Sequence, residues 1–126
     1  MRITGFNLVG LNAAGKHAEI EEFYTSFLGL NNIERQGAAT MVNGFWFGVE
    51  KDLVHVVTDP AEGNLSMPGD THVSLLVDDI DEAVAKIKEL TADHLLVGEG
   101  SSQIIWFKDP AGNTLEFQQD PTIQCS

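Results

Sequence analysis

The sequence predicts an α+β fold in which a strand, a helix and two or three further strands occur in that order twice. Three observations carry this. Alternating apolar and polar residues mark a strand ahead of each of two helical segments. Each helical segment repeats its apolar residues at the spacing of one helix face. Residues 59–70, with two prolines and two glycines, separate the two copies as a linker. The modules fall at about residues 1–60 and 70–120, and 126 residues is one domain's length, so a single domain over 1–126 is expected.

The first strand is expected over residues 3–11. The first helix follows, with Ile20, Phe23, Tyr24 and Phe27 on one face and Gly29 as its C-terminal cap. Residues 41–49 and 53–58 read as strands, and another is placed at 33–36. The second copy opens with a strand over 71–77. Its helix carries Ile80, Ala83, Val84, Ile87 and Leu90, and Asp79 with Glu82 resembles a capping box. Strands over 102–108 and 113–118 close the copy, joined by the turn Asp109-Pro110-Ala111-Gly112-Asn113. The repeat pairs Asn7 with His72 at an offset of 65, and both Trp46 with Phe107 and His55 with Glu116 at 61.

Composition narrows the function. Seven basic against nineteen acidic residues give a net charge of −12, which argues against nucleic acid and anionic membranes as partners. A cationic small ligand would be attracted. No apolar run approaches the ~20 residues of a membrane span. The start shows no secretory signal, and the single cysteine, Cys125, allows no intrachain disulfide, so a reducing, cytoplasmic setting is expected.

Side chains alternate between the faces of a strand. Val73, Leu75 and Val77 therefore oppose His72, Ser74 and Leu76, while Leu115 and Phe117 oppose Thr114, Glu116 and Gln118. Val54 and Val56 oppose Leu53, His55 and Val57. Phe6 and Leu8 are expected to oppose Asn7 and Val9. One face thus gathers Asn7, His55, His72 and Glu116, one from each of four strands. In a single curved sheet they converge, and two imidazoles with a carboxylate suit a divalent Zn, Ni, Mn or Fe ion with coordination positions left open. The same three also suit a satisfied polar cluster without metal.

At these residues the chain resembles the vicinal oxygen chelate superfamily, the glyoxalase/bleomycin resistance/dioxygenase fold. The resemblance rests on Glu22-Phe23-Tyr24 with Phe27-Leu28-Gly29-Leu30, on His72-Val73-Ser74-Leu75-Leu76-Val77-Asp78, and on Asp109-Pro110-Ala111-Gly112-Asn113-Thr114-Leu115-Glu116. It implies two βαβββ modules forming a curved, cup-like mixed sheet with helices on the outer face. It further implies a homodimer and a divalent metal ion held in the cup. Carried over, the metal ligands are His55, His72 and Glu116. Asn7 departs from the His or Gln common at the first position and becomes a substrate-binding candidate or a structural amide. That departure counts against extradiol dioxygenase chemistry.

Trp46 and Trp106 are candidates for stacking on a ligand, weighed against a plain core role. Gly98-Glu99-Gly100-Ser101-Ser102 lacks the lysine of a P-loop and reads as a flexible loop. Asp78, Asp79 and Asp81 read as helix-start electrostatics, and His17 and His94 as surface residues. The leading expectation is a glyoxalase-like metalloenzyme, a lyase or isomerase acting on a small carbonyl or oxygen-chelating substrate. In it the ion is the Lewis acid and Glu116 the catalytic proton carrier. Glutathione and phosphonate substrates fit poorly with so few cationic residues. The alternative is a non-catalytic protein of the bleomycin-resistance type that sequesters a cationic small molecule. A structural or regulatory role is third.

Overall fold

The computed structural model describes residues 1–34, 44–49, 52–57, 67, 68 and 70–123. The first module runs β1 (Ile3–Asn12), α1 (His17–Glu22), β2 (Asn31–Ile33), β3 (Gly44–Val49) and β4 (Asp52–Val57). The second runs β5 (His72–Val77), α2 (Ile80–Leu90), β6 (His94–Val97), β7 (Ile104–Lys108) and β8 (Thr114–Gln119). Both are βαβββ, as the pattern predicts. The strand over His94–Val97 is an addition to the predicted elements. It puts His94, read as a residue after a helix, on the edge strand.

The eight strands of the described residues form one sheet in the order β2-β3-β4-β1-β5-β8-β7-β6. The modules meet along β1 and β5, which are antiparallel, while β1–β4 and β5–β8 are the parallel pairs. Helix α2 covers the second module. Its Ile80, Ala83, Val84 and Ile87 pack on Val77, Ile105, Phe107 and Phe117, and burying side chains of this kind stabilises by roughly 1.5–3 kcal/mol each. Helix α1 covers the first module, where Ile20 and Tyr24 pack around Ala13, Phe47, Phe45 and Val54. A π-helical turn, Phe23–Phe27, continues it, and Gly29 at φ 77° closes that turn. There the Leu30 amide donates to the Tyr24 carbonyl at 2.9 Å.

Asp79 caps α2 by accepting the Glu82 amide at 3.2 Å. The capping box is only half made, because the Glu82 carboxylate binds the N-terminal ammonium of Met1 instead. Replacing Asp79 with alanine is expected to cost about 1 kcal/mol in urea unfolding, from the lost cap.

The sheet is strongly curled. Strands β3 and β7 stand five places apart in the sheet order, about 24 Å if the sheet were flat. Yet Trp46 of β3 packs against the cluster formed by Trp106 and Ile104 of β7. Two tryptophans cannot bridge that flat distance, so the sheet edges fold toward each other around a concave face.

Strand β1 corrects the simple alternation. The pairs Val9–Val73 and Leu8–Ser74 are in register, but the next pairs are Phe6–Leu75, Gly5–Leu76 and Ile3–Val77, with shifts at Asn7 and Thr4. Each bulge inserts one residue. Ile3, Phe6 and Val9, spaced by three, therefore share the helix-bearing face with Val73, Leu75 and Val77, spaced by two. Leu8 and Gly10 go to the concave face, not Val9.

Candidate functional site

The register lays out the concave face row by row. Trp46, His55, Gly10, His72, Thr114 and Lys108 form one row across β3, β4, β1, β5, β8 and β7. Leu53, Leu8, Ser74, Glu116 and Trp106 form the next. Two predicted equivalences shift accordingly. Leu8, at an offset of 64, and not Asn7, occupies the place in β1 that His72 occupies in β5. Trp46 beside His55 corresponds to Trp106 beside Glu116, and not to Phe107. The match of His55 with Glu116 stands.

The centre is a buried pair. His72 Nε2 lies 3.0 Å from Glu116 Oε1, and the two residues are only 2% and 1% exposed. Each partner has its own support. His72 Nδ1 donates to the Asp70 carbonyl at 2.7 Å. Glu116 Oε2 accepts the Gln118 amide at 2.7 Å, and the carboxylate also takes a hydrogen bond from Ser74. Asn7 Nδ2 donates to Ser74 Oγ at 3.1 Å. Asn7 thus reaches the pair at one remove, through Ser74.

Burial alone would lower the His72 pKa, but the hydrogen bond and charge of Glu116 and the Asp70 carbonyl outweigh it and hold the imidazole above its ordinary value. Burial would raise the Glu116 pKa, and the His72 hydrogen bond and charge outweigh that too, holding the carboxyl below its ordinary value.

The tryptophans do not lie open. Trp106 is 1% exposed, and its indole N–H points at His72 Nε2 at 3.3 Å. Trp46 is half-buried beside it, with Met67 and Val97. The site is therefore dry, which strengthens every charge interaction within it.

Gly10 is a site residue that the sequence reading missed. A Cβ there would fall within 2.6 Å of His72 Nδ1, and closer still to Cε1 and Nε2. The imidazole lies over the bare backbone of β1, between His72 and His55 in the row. A glycine within an alternating strand is the signal that pointed to it.

The predicted ligand set is partly placed. His72 and Glu116 meet. The side chain of His55 lies outside the described residues, while its backbone stands opposite Gly10, two strands from His72. Among the described residues no three of His, Cys, Asp and Glu converge as a cation site. The donor chemistry nevertheless fits a divalent ion. His72 Nε2 and Glu116 Oε1 are an imidazole nitrogen and a carboxylate oxygen turned toward one another, a donor pair that such ions accept. The Nδ1–H bond to a carbonyl is the usual outer support of a metal-bound histidine. Of the remaining readings, His17 is exposed with its ring against Phe45, and Gly100–Ser102 forms a short 3₁₀ turn.

The chain matches the glyoxalase-like domain family over residues 9–117, and it belongs to that family. No curated protein sequence matches it. Among solved structures it is similar to methylmalonyl-CoA epimerase from Mycobacterium tuberculosis, at 16% identity and a TM-score of 0.64, covering 95% of this chain and 91% of that one. It is also similar to a glyoxalase/bleomycin resistance protein/dioxygenase superfamily member from Vibrio splendidus, at 14% identity and 0.58, covering 94% and 100%. A variant of homoprotocatechuate 2,3-dioxygenase from Brevibacterium fuscum aligns at 18% and 0.57, covering 94% of this chain and 33% of that one. At these identities the likeness shows the shared fold. No helix among the described residues is long and apolar enough to cross a membrane.

Proposed function

We propose that this protein is a glyoxalase-like metalloenzyme acting on a small carbonyl or oxygen-chelating substrate. The observation that carries the reading is the convergence of His72 Nε2 and Glu116 Oε1 in a dry site, with Nδ1 already committed to a carbonyl. His72 and Glu116, with His55 as the third ligand, would hold a divalent Zn, Ni, Mn or Fe ion. The ion would supply Lewis-acid polarisation of a substrate oxygen.

The chain's own residues support proton transfer. Gln118 holds Oε2 of Glu116 and Ser74 also hydrogen-bonds the carboxylate, while Oε1 faces His72 as its working oxygen. Glu116 is 1% exposed, and Trp106 stands opposite it in register.

Metal analysis of protein purified without a His tag tests this. A stoichiometric transition metal is expected in wild type and its loss in His72→Ala. Metal affinity should rise with pH, because the ligating imidazole must be neutral. A metal-free wild type at every pH would overturn the enzyme reading.

One observation favours the sequestering alternative. Two tryptophans share the concave face of a chain with net charge −12, a setting for a cationic planar ligand. Tight binding of a cationic aromatic compound by metal-free protein would support it.

We also propose that the protein is a homodimer built on the β1–β5 seam. The seam carries exposed Ile3, Phe6 and Val9, with Phe6 75% exposed, between the sheet areas that α1 and α2 cover. Antiparallel β1 and β5 give this seam an approximate two-fold axis of its own, which suits a self-complementary contact. Phe6→Glu is expected to weaken dimerisation by about 100-fold in sedimentation, as for an anchoring aromatic. A wild type that is monomeric at all concentrations would dispose of the proposal. The lone cysteine supports a cytoplasmic setting.

A further inference from the structure

We propose that the outer face of α1 and its π-helical turn docks a basic amphipathic segment of a partner protein. The partner's cations lie against Glu19 and Glu22, and its apolar side chains against Phe23 and Phe27. The inference stands apart from the concave face and from any metal.

The spacing of Ile20, Phe23, Tyr24 and Phe27 predicts one buried face, and the structure splits it. Ile20 and Tyr24 turn inward, where Tyr24 stacks on Phe47 at 5.0 Å. Phe23 and Phe27 turn outward, 45% and 76% exposed, with their rings stacked on each other at 5.3 Å. The Leu28 amide donates to the Phe23 carbonyl at 2.9 Å, across a π-helical turn. That turn holds one residue more than a regular one, which carries Phe27 off the buried face. Single π-turns of this kind are frequent at functional sites.

An open groove of about 470 Å³ runs over this surface, lined among the described residues by Glu19, Glu22, Phe23, Ser26 and Phe27. Its acidic end and its aromatic end follow one another along about 12 Å of helix axis. Glu22 has no basic residue three or four places away on either side, and Glu19 has only Lys16 at the helix cap. Helix α2, the matching element of the second module, is the contrast. It buries Ile80, Val84 and Ile87, and its exposed face mixes Lys86 and Lys88 with Glu82 and Glu89. Leu90, at its last position, is its one exposed large apolar residue.

Charge selects the occupant. Exposed rings on a surface helix suit a lipid interface when lysine and arginine accompany them, and here glutamates do. Nucleic acid is repelled by the same sign. A small ligand takes an enclosed pocket, and this groove is open along its length. A second copy brings a further net charge of −12 toward two carboxylates. A basic amphipathic segment satisfies both ends at once, with an apolar face in the groove and cations along its edge. The seam of the proposed dimer uses Ile3, Phe6 and Val9, none of which lines the groove.

The probe is a fluorescent synthetic amphipathic helix of leucine and lysine, titrated with the whole chain and followed by anisotropy. Wild type is expected to bind it more tightly than a leucine–glutamate or a serine–lysine analogue. Phe27→Ser is expected to weaken binding about 30-fold, as for an anchoring aromatic. Glu22→Gln is expected to weaken it about 2–5-fold and to flatten its salt dependence. Both side chains are exposed, and thermal unfolding checks that both variants keep the fold. Glu89→Gln combined with Leu90→Ser, on α2, is the control for general attraction to an acidic chain and should leave binding unchanged. Equal binding of the serine–lysine analogue, or equal weakening in the α2 control, would reduce the contact to bulk charge and overturn the proposal. A wild type that does not bind the leucine–lysine peptide would overturn it as well. A changed oligomeric state of Phe27→Ser in sedimentation would assign the groove to a second copy and overturn the choice of partner.

Discussion

His72→Leu is expected to destabilise the metal-free protein by about 3–5 kcal/mol at neutral pH, because it leaves a buried carboxylate without its counter-charge. Glu116 is 1% exposed, and Ser74 and Gln118 alone would remain to solvate it. The pH profile should change shape as well. In metal-free wild type the raised His72 pKa contributes stability that is full below the unfolded value of about 6.5 and lost as pH rises through the folded value. The lowered Glu116 pKa contributes stability that is full above the ordinary value of 4.5 and lost as pH falls through the folded value. The pair therefore stabilises most between about pH 4.5 and 6.5. In His72→Leu the burial of Glu116, the largest influence on it, is opposed only by Ser74 and Gln118 and is expected to raise its pKa. The variant should then gain stability as pH falls, in the range where wild type loses it. Urea unfolding across pH measures both effects. A loss below about 1 kcal/mol with an unchanged profile would show that the pair is not formed.

Gly10→Ala is the second large effect. The new methyl would fall inside the His72 ring, whose Nδ1 lies within 2.6 Å of the ideal Cβ. The ring cannot yield slightly, because it is fixed by Asp70 at one nitrogen and Glu116 at the other. It must swing away and break both bonds. Overpacking costs about 1–3 kcal/mol, and a buried group stripped of its partner costs about as much again. A total of about 3–5 kcal/mol is expected, together with loss of any bound metal. Gly5→Ala is the control on the same strand, since a Cβ there meets nothing within 4 Å. It is expected to change stability by about 0.5 kcal/mol or less. Equal effects at the two glycines would refute the close packing of His72 on β1.

Much of the architecture was legible because it is written in short-range patterns. The spacing of Ile80, Ala83, Val84 and Ile87 places α2 and its buried face. Alternation in β5 and β8 assigns His72, Ser74 and Glu116 to one face, and the register agrees. The turn at Asp109–Asn113 is read correctly too, since the Asp109 carboxylate takes the Ala111 and Asn113 amides while Gly112 adopts φ 87°. Strand β1 was misread at Leu8 and Val9. A bulge leaves the letters of a strand unaltered and shifts the face of every residue beyond it.

The sequence by itself determined the doubled βαβββ order, the two helix-covered faces and the placing of an imidazole and a carboxylate on the opposite side, because each follows from local periodicity. Only the tertiary structure decided that Leu8 and Gly10 face the site, that Trp46 and Trp106 meet across a curled sheet, and that the Asp70 carbonyl holds His72 Nδ1. Those are lateral contacts between strands distant in the chain. Lateral register and curvature are set by pairing and packing, which no single segment encodes.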